Sequence, residues 1–346
     1  MDATDTAATT PATSSDGGGR PGGRPPKQFE GHADMVNALA FSKDGALLAS
    51  ASRDKTVRVW QVATATESKS VTHPAGPVWN VVWTAEGRLV TTSGDGKKGG
   101  TLSWIDPVTG VFRRTIEVAD KNAGPTRALA VSPDGRRLAW LNGAKMEVIS
   151  AALEDSPTPA GSYPFSVYDT LHAAFTPDAG KVLLTSNSGT QVWSWAQPST
   201  GKTAIRKAQY STQDTTGVAV AGNGLYAVST NRGVVTMLDP ATLDLVENVR
   251  DLPTTGVFGV AASPDGRYVA SAIENGVRVF DPKNRQEVGR FAAPPGVKFQ
   301  ATSVAYSPDG GKIAAGGGFT VFDNPRNFTI FLWDAAAMTP PPAKKN

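Results

Sequence analysis

The stretch GHADMVNALAFSKDGALLASASRDKTVRVW, residues 31–60, holds one full cycle of short strands and the turn between them. VNALAF (36–41) and ALLASAS (46–52) are apolar runs rich in Ala, Val and Leu, and they flank Ser42-Lys43-Asp44-Gly45. That segment is turn chemistry: an Asp bonds backbone two residues on, and a Gly takes a positive φ without steric cost. A third run, VRVW (57–60), ends in a large aromatic. Runs of about four to eight residues bounded by turn signals, without a 3.6-residue period, read as strands.

The cycle recurs. A hydrophobic residue followed by a turn of this kind stands at FSKDG (41–45), WTAEG (83–87), VSPDG (131–135), FTPDAG (175–180), VAGNG (220–224), ASPDG (262–266) and YSPDG (306–310). The final glycines, at 45, 87, 135, 180, 224, 266 and 310, are 42 to 48 residues apart. Third runs ending in a large apolar residue follow at TLSW (101–104), VWSW (192–195), VRVF (277–280) and IFLW (330–333). More polar fourth runs come next, as in VFRRTIEV (111–118) and LVENVRDL (245–252). Four strands in about 44 residues is the period of a propeller blade. The pattern predicts an all-β fold, a seven-bladed β-propeller of four-stranded antiparallel blades.

Gly31-His32, Ser50, Asp54 and Trp60 in the first repeat, with Trp333-Asp334 closing the last, resemble WD40 repeats. In that family the His, Ser, Asp and Trp form a hydrogen-bonded tetrad inside a blade. The resemblance therefore implies that His32, Ser50, Asp54 and Trp60 are scaffold, because a closed network of buried polar groups pins a blade's geometry. It also implies that the segment at Lys27-Gln28-Phe29 supplies the outer strand of the last blade, since the last repeat ends after a third strand at Trp333. The similarity covers about residues 28–335. It is strong in the first repeat and weaker elsewhere. The second keeps Thr91, Asp95 and Trp104, with three extra residues between the last two, and Thr72 stands before His73 where the family has Gly. The third ends in Val148-Ile149, the fifth in Leu238-Asp239 and the sixth in Phe280-Asp281. Such degenerate repeats are also similar to lactonase-type and other bacterial propellers.

Residues 1–27 are mostly Thr, Ser, Asp, Gly and Pro, unable to bury enough apolar surface to offset their ordering entropy. They are expected to form a disordered tail or linker, with residues 28–335 as the propeller and 336–346 as a second tail. The net charge of +3, from 34 basic and 31 acidic residues, is too small to indicate nucleic acid. Lys and Arg form no run longer than an adjacent pair, such as Lys97-Lys98 and Lys344-Lys345. There is no cysteine, which removes disulfides, thiolate metal sites and cysteine nucleophiles together. No apolar run approaches the ~18 residues of a spanning helix, and the N-terminus lacks the basic and apolar regions of a secretory signal. A cytoplasmic protein without membrane contact is expected, and its Ala/Gly-rich, Cys-free style looks bacterial.

Motifs for chemistry are sparse. AQPSTGKT (196–203) matches a relaxed phosphate loop, but KTAIRKAQ after it reads as an outer strand where the loop needs a helix. There is no G-x-S-x-G or H-E-x-x-H segment. Of the three histidines, His32 and His73 sit at blade entries and His172 on an inner strand, which makes a three-His metal site geometrically unfavourable. His172 reads first as a satisfied core residue, with the central channel as the alternative. A lactonase-like enzyme or small-ligand binder would have Asp169, His172 and Asp214 as its local acid/base groups. No cofactor and no metal are expected.

The remaining function class is recognition. Counting back four residues from the one before each turn gives Asn37, Trp79, Arg127, Leu171, Thr216, Phe258 and Thr302. In WD40 proteins these positions lie by the channel mouth on the top face, and neighbouring loops add Arg53, Tyr168, Asp169, Lys298 and Phe299. Trp79, Arg127, Tyr168 and Phe258 are residue types that dominate interface hot spots, although an aromatic there can equally plug the channel. In the last repeat KIAAGGG is followed by FTVFDNPRNFTIFLWD (319–334), longer between the second and third strands than in the first repeat, and its Arg326 joins the same set. Trp83, Trp104 and Trp195 occupy strand-end positions and read as blade-wedging core. A non-catalytic platform follows, binding other proteins or peptides as a monomeric propeller, alone or within a larger complex.

Overall fold

In the computed structural model the repeated turns are closed by their own side chains. Ser42 Oγ donates to the Asp44 carboxylate at 2.6 Å, that carboxylate accepts the Ala46 N–H at 3.1 Å, and the Leu47 N–H donates back to Ser42 Oγ at 2.9 Å. Gly45 sits at φ 71°. The arrangement returns at Ser132/Asp134, Thr176/Asp178, Ser263/Asp265 and Ser307/Asp309. Each of these carboxyls is held below its ordinary pKa, first by the hydroxyl of its turn and next by a backbone N–H. In the fourth turn the left-handed position belongs to Ala179, at φ 55°, not to a glycine. Gly180, read from the sequence as that turn's glycine, lies one residue beyond it.

The structure describes residues 25–338 apart from 96–98, 119–125, 144, 153–158, 165–169, 187–188, 196–204, 208–214, 221–225, 231–233, 240–241, 243, 250–256, 285 and 319–327. The phosphate-loop-like segment at 196–203 and the lysine pair at 97–98 thus lie outside the described residues. Among the described residues the strands form seven four-stranded sheets, every pairing antiparallel where its register is given. The first sheet is Val36–Phe41, Leu47–Ser52, Thr56–Gln61 and Thr66–Thr72. Six sheets take four consecutive strands. The last takes Ala301–Tyr306, Lys312–Gly317 and Ile330–Asp334 and receives its outer strand, Lys27–Phe29, from the other end of the chain. The register pairs Lys27 with Leu332 and Phe29 with Ile330. Lys27 is therefore part of the propeller, and the expected boundary after residue 27 moves to before it.

The inner strands pack in a ring: Val36–Phe41 on Val78–Trp83, then Leu129–Val131, Thr170–Phe175, Thr215–Val220, Gly259–Ala262 and Ala301–Tyr306, which returns to Val36–Phe41. At that return Gly316 is required, since a Cβ there would stand 2.6 Å from Val36 Cγ1 and 2.8 Å from Ser303 Oγ.

Apolar side chains fill the gaps between neighbouring sheets, as where Val90, Leu102 and Trp104 meet Leu129, Leu138 and Trp140. Indole N–H groups reach carbonyls of adjoining sheets: Trp83 to Ala40 at 3.0 Å, Trp104 to Ala151 at 2.9 Å, Trp333 to Ala292 at 3.1 Å. A Trp wedge of this kind buries a large ring and leaves its one polar atom satisfied. Trp195 differs from the expectation. It is half-buried, with its N–H on Ala179 O at 2.8 Å and the Arg137 guanidinium 5.0 Å from its ring, while Trp193 takes the core position.

Candidate functional site

Five inner strands carry a bulge at one recurring place. The ladder to the second strand skips Asn37, Trp79, Leu171, Thr216 and Thr302. A bulge leaves one residue unpaired and re-aims it out of the alternating pattern. All five are among the positions obtained by counting back from the turns, and the other two, Arg127 and Phe258, stand just before their strands. Asn37, Trp79, Arg127, Thr216, Phe258 and Thr302 line one cavity of about 410 Å³ inside the ring. From the fourth sheet His172, one residue beyond the counted Leu171, lines it. The cavity sits at the ends of the inner strands away from the Ser-x-Asp-Gly turns.

Part of this lining is latch. Asn37 Nδ2 donates to Val78 O at 2.7 Å, Asn80 Nδ2 to Leu129 O at 3.3 Å, and Thr302 Oγ1 to Val36 O at 2.7 Å. Thr216 Oγ1 donates to Val257 O in the same manner. Each bond joins one sheet to the next, so these polar groups are engaged in tying the ring together. Asn37, counted from sequence as a partner contact, lines the cavity and donates through its amide nitrogen to this latch. Asn80 was not singled out, and its residue type carries no signal of the role.

Trp79 and its neighbours form the charged part. Trp79 Nε1 donates to Gly94 O at 2.8 Å, which fixes the ring. The Arg127 guanidinium stands 4.5 Å from the indole centroid and Arg53 6.0 Å. Arg127 is exposed as a residue, but its head turns over the indole. Withdrawal from water, and next the Arg53 charge, lower its pKa from the ordinary value; an arginine nevertheless stays protonated. His172 is pushed down to about 4 by withdrawal from water and next by the Arg127 charge, so it is neutral at neutral pH. Neither Arg53 nor Arg127 has an ion-pair partner among the described residues.

The remaining expected contacts divide. Phe258 lines the cavity and Lys298 is exposed. Phe299 is a correction. It is 2% exposed and meets Phe331 edge-on at 4.7 Å, because the apolar gap between the sixth and seventh sheets draws it inward. Tyr168, Asp169, Asp214 and Arg326 lie outside the described residues. Among those described, no group of three or more His, Asp or Glu is placed to hold a metal, and no helix is long and apolar enough to cross a membrane.

The tetrad in the first sheet is continuous. Trp60 Nε1 donates to Ser50 Oγ at 2.8 Å, Ser50 Oγ lies 2.7 Å from His32 Nε2, and His32 Nδ1 lies 2.8 Å from the Asp54 carboxylate. A carboxylate can only accept, so Nδ1 carries a proton and donates to Asp54, while Nε2 and the serine hydroxyl share the second bond. Burial raises the Asp54 pKa, but the hydrogen bonds from His32 and Thr56 outweigh it and hold the carboxyl well below the usual range. In the second sheet the set is broken. His73 Nε2 lies 2.8 Å from Thr91 Oγ1 and Nδ1 3.0 Å from Ser93 Oγ, while the Trp104 N–H goes to the next sheet.

The model of the WD domain, G-beta repeat, matches residues 23–61. Over 55 residues the chain is 44% identical to the mouse ribosome biogenesis protein BOP1, covering 16% of this chain and 7% of that protein. It is 23% identical over 147 residues to the WD repeat-containing protein SL1-17 of Schistosoma mansoni, 32% of this chain and 49% of that one. An uncharacterized WD repeat-containing protein of Synechocystis is 35% identical over 68 residues, 19% and 20% respectively. The chain thus spans less than half the length of each of these relatives.

Proposed function

We propose that this chain, a WD40-repeat protein, is a non-catalytic platform: a seven-bladed disk that holds other proteins or peptides against the face bearing Arg53, Trp79, Arg127 and Phe258. The observation that carries this reading is the stack of Arg127 and Arg53 on Trp79 at the cavity mouth. Trp and Arg dominate interface hot spots, and here both project from a rigid ring, so little ordering entropy opposes binding. The mouse relative's name, a ribosome biogenesis protein, is in keeping with work inside assemblies. The disk acts as one copy, in the cytoplasm, without cofactor or metal, and binds neither nucleic acid nor membrane.

A second function is favoured by one observation. A cavity of about 410 Å³ with a neutral His172 in its wall is within the size range of small-ligand sites. A lactonase-like enzyme or small-ligand binder would use it.

Capture from the source organism's lysate separates the two. Wild type is compared with the Trp79→Ala, Arg127→Ala, Phe258→Ala triple variant, checked for retained folding by its melting curve. Proteins captured by wild type and lost with the folded variant support the platform. No specific capture, together with a small molecule that raises the melting temperature of wild type, overturns it in favour of the channel site.

A further inference from the structure

We infer that the cavity mouth recognises a carboxylate carried by a polypeptide, an Asp or Glu side chain in an acidic segment of the partner. This assignment rests on the platform function proposed above and names the partner's chemistry at the same face.

Several cations elsewhere on the disk are neutralised by neighbours. Arg113 has Asp106 at 3.0 Å, Arg267 has Asp265 at 2.6 Å, Lys312 has Asp334 at 2.8 Å, and Arg278 and Arg290 share Glu287. At the cavity the pattern inverts. Among the described lining residues there is no carboxylate, and two arginines converge on one indole without an ion-pair partner. Holding two guanidinium groups close together, one of them partly stripped of water, is unfavourable until an anion joins them. A carboxylate relieves both costs and can take a planar guanidinium through two parallel hydrogen bonds.

The geometry is prepared for this. The indole is anchored through Gly94 O, and Arg127 lies against it, so the fork is oriented before the ligand arrives. His172 stays neutral and does not compete for the anion. Met35, Phe258, Val260 and Val304 form the adjoining apolar wall, suited to the methylene stem of the acidic residue or a small apolar neighbour. Arg53, exposed outside the cavity, extends the positive strip onto the rim, where a chain lying across the mouth would meet it.

The test uses the full chain and fluorescence anisotropy with labelled octapeptides: (Glu-Ala)4, the uncharged (Gln-Ala)4, and (phosphoserine-Ala)4. The expected result is about tenfold tighter binding of the glutamate peptide than the glutamine one, lost about tenfold in Arg127→Gln and unchanged in Arg267→Gln, which removes the same charge from the opposite face. Equal binding of the glutamate and glutamine peptides overturns the assignment. So does an Arg127→Gln protein that binds like wild type, or a phosphoserine peptide held about tenfold tighter than the glutamate one. If the glutamate peptide fails while lysate capture still depends on Trp79, Arg127 and Phe258, the carboxylate assignment falls and the platform stands.

Discussion

The guanidinium of Arg127 lies 4.5 Å from the centroid of the Trp79 indole, and the two residues come from neighbouring sheets that meet at the cavity. The ring's position is set by its bulge and by the bond to Gly94, so the arginine rests on a fixed support. A partly exposed cation–π contact stabilises by about 0.5–1 kcal/mol. Arg127→Ala should therefore lower unfolding free energy by less than about 1 kcal/mol while abolishing partner capture. Denaturant melts beside capture assays check the pair of outcomes; a large stability loss would make the arginine a scaffold residue.

Ser50 is a relay between two buried groups. Its oxygen accepts from Trp60, and the same hydroxyl bonds His32 Nε2. Ser50→Ala leaves the Trp60 N–H and His32 Nε2 without a partner in a site closed to water, at a cost of about 2–3 kcal/mol. Trp60→Phe keeps most of the ring and removes one donor, and should cost less, about 1 kcal/mol plus any packing change. Equilibrium urea unfolding gives both values, and the reverse order would contradict the relay.

The buried His73 makes stability depend on pH. Burial holds its pKa down at about 4, whereas an unfolded histidine titrates near 6.5. Between those values the unfolded chain binds the extra proton, so stability is full above about 6.5 and is lost as pH falls toward 4. From pH 7 to pH 5 the loss from His73 is on the order of 2 kcal/mol, and His172 adds a smaller amount in the same direction because it is partly solvated. The lowered carboxyl pKa values act below this window. Melting temperatures at pH 7, 6 and 5 should fall for wild type and fall less for His73→Gln, even though that variant is weaker at pH 7.

Ala179 occupies the left-handed position that glycine fills in the first, second, third, sixth and seventh turns. A Cβ in that conformation costs roughly 1–2 kcal/mol, against a smaller entropic cost of glycine in the unfolded chain. Ala179→Gly should raise stability by about 0.5–1 kcal/mol and the melting temperature with it. A lower melting temperature would show that the turn is not strained.

Phe29 joins the two ends of the chain. It is buried in the outer strand of the last sheet and meets Trp60 of the first sheet edge-on at 5.7 Å. Phe29→Ala should cost about 3–5 kcal/mol, and amide exchange should rise in both Lys27–Phe29 and Ile330–Asp334. Exchange confined to Lys27–Phe29 would mean that the last sheet holds without its outer strand.

Much of this was legible in the chain itself. Seven copies of one turn, at a period that fits four strands, give the repeat, and a fixed offset from the turn reaches the cavity because a bulge recurs at the same place in five inner strands and the other two counted positions stand just before theirs. The offset lands on Leu171, and His172 next to it lines the cavity. Phe299 looked like a rim anchor because sequence shows a loop aromatic without showing the apolar gap beneath it. The latch made by Asn37, Asn80 and Thr302 is equally silent, being a set of bonds from side chain to a neighbouring sheet's backbone. Trp195 and Trp193 are two residues apart on one strand, and only the packing decides which is core.

Recognition at the cavity face is tested most directly by site-specific photocrosslinking. A benzoylphenylalanine is placed at exposed Arg53, beside the cavity, and in a second protein at exposed Arg267, on the opposite face. Irradiation in the source cells is followed by gel analysis for covalent adducts. The expected result is a discrete protein adduct from position 53 and none from position 267. An adduct from 267 alone, or none from either position, would contradict a protein-binding surface at Trp79 and Arg127.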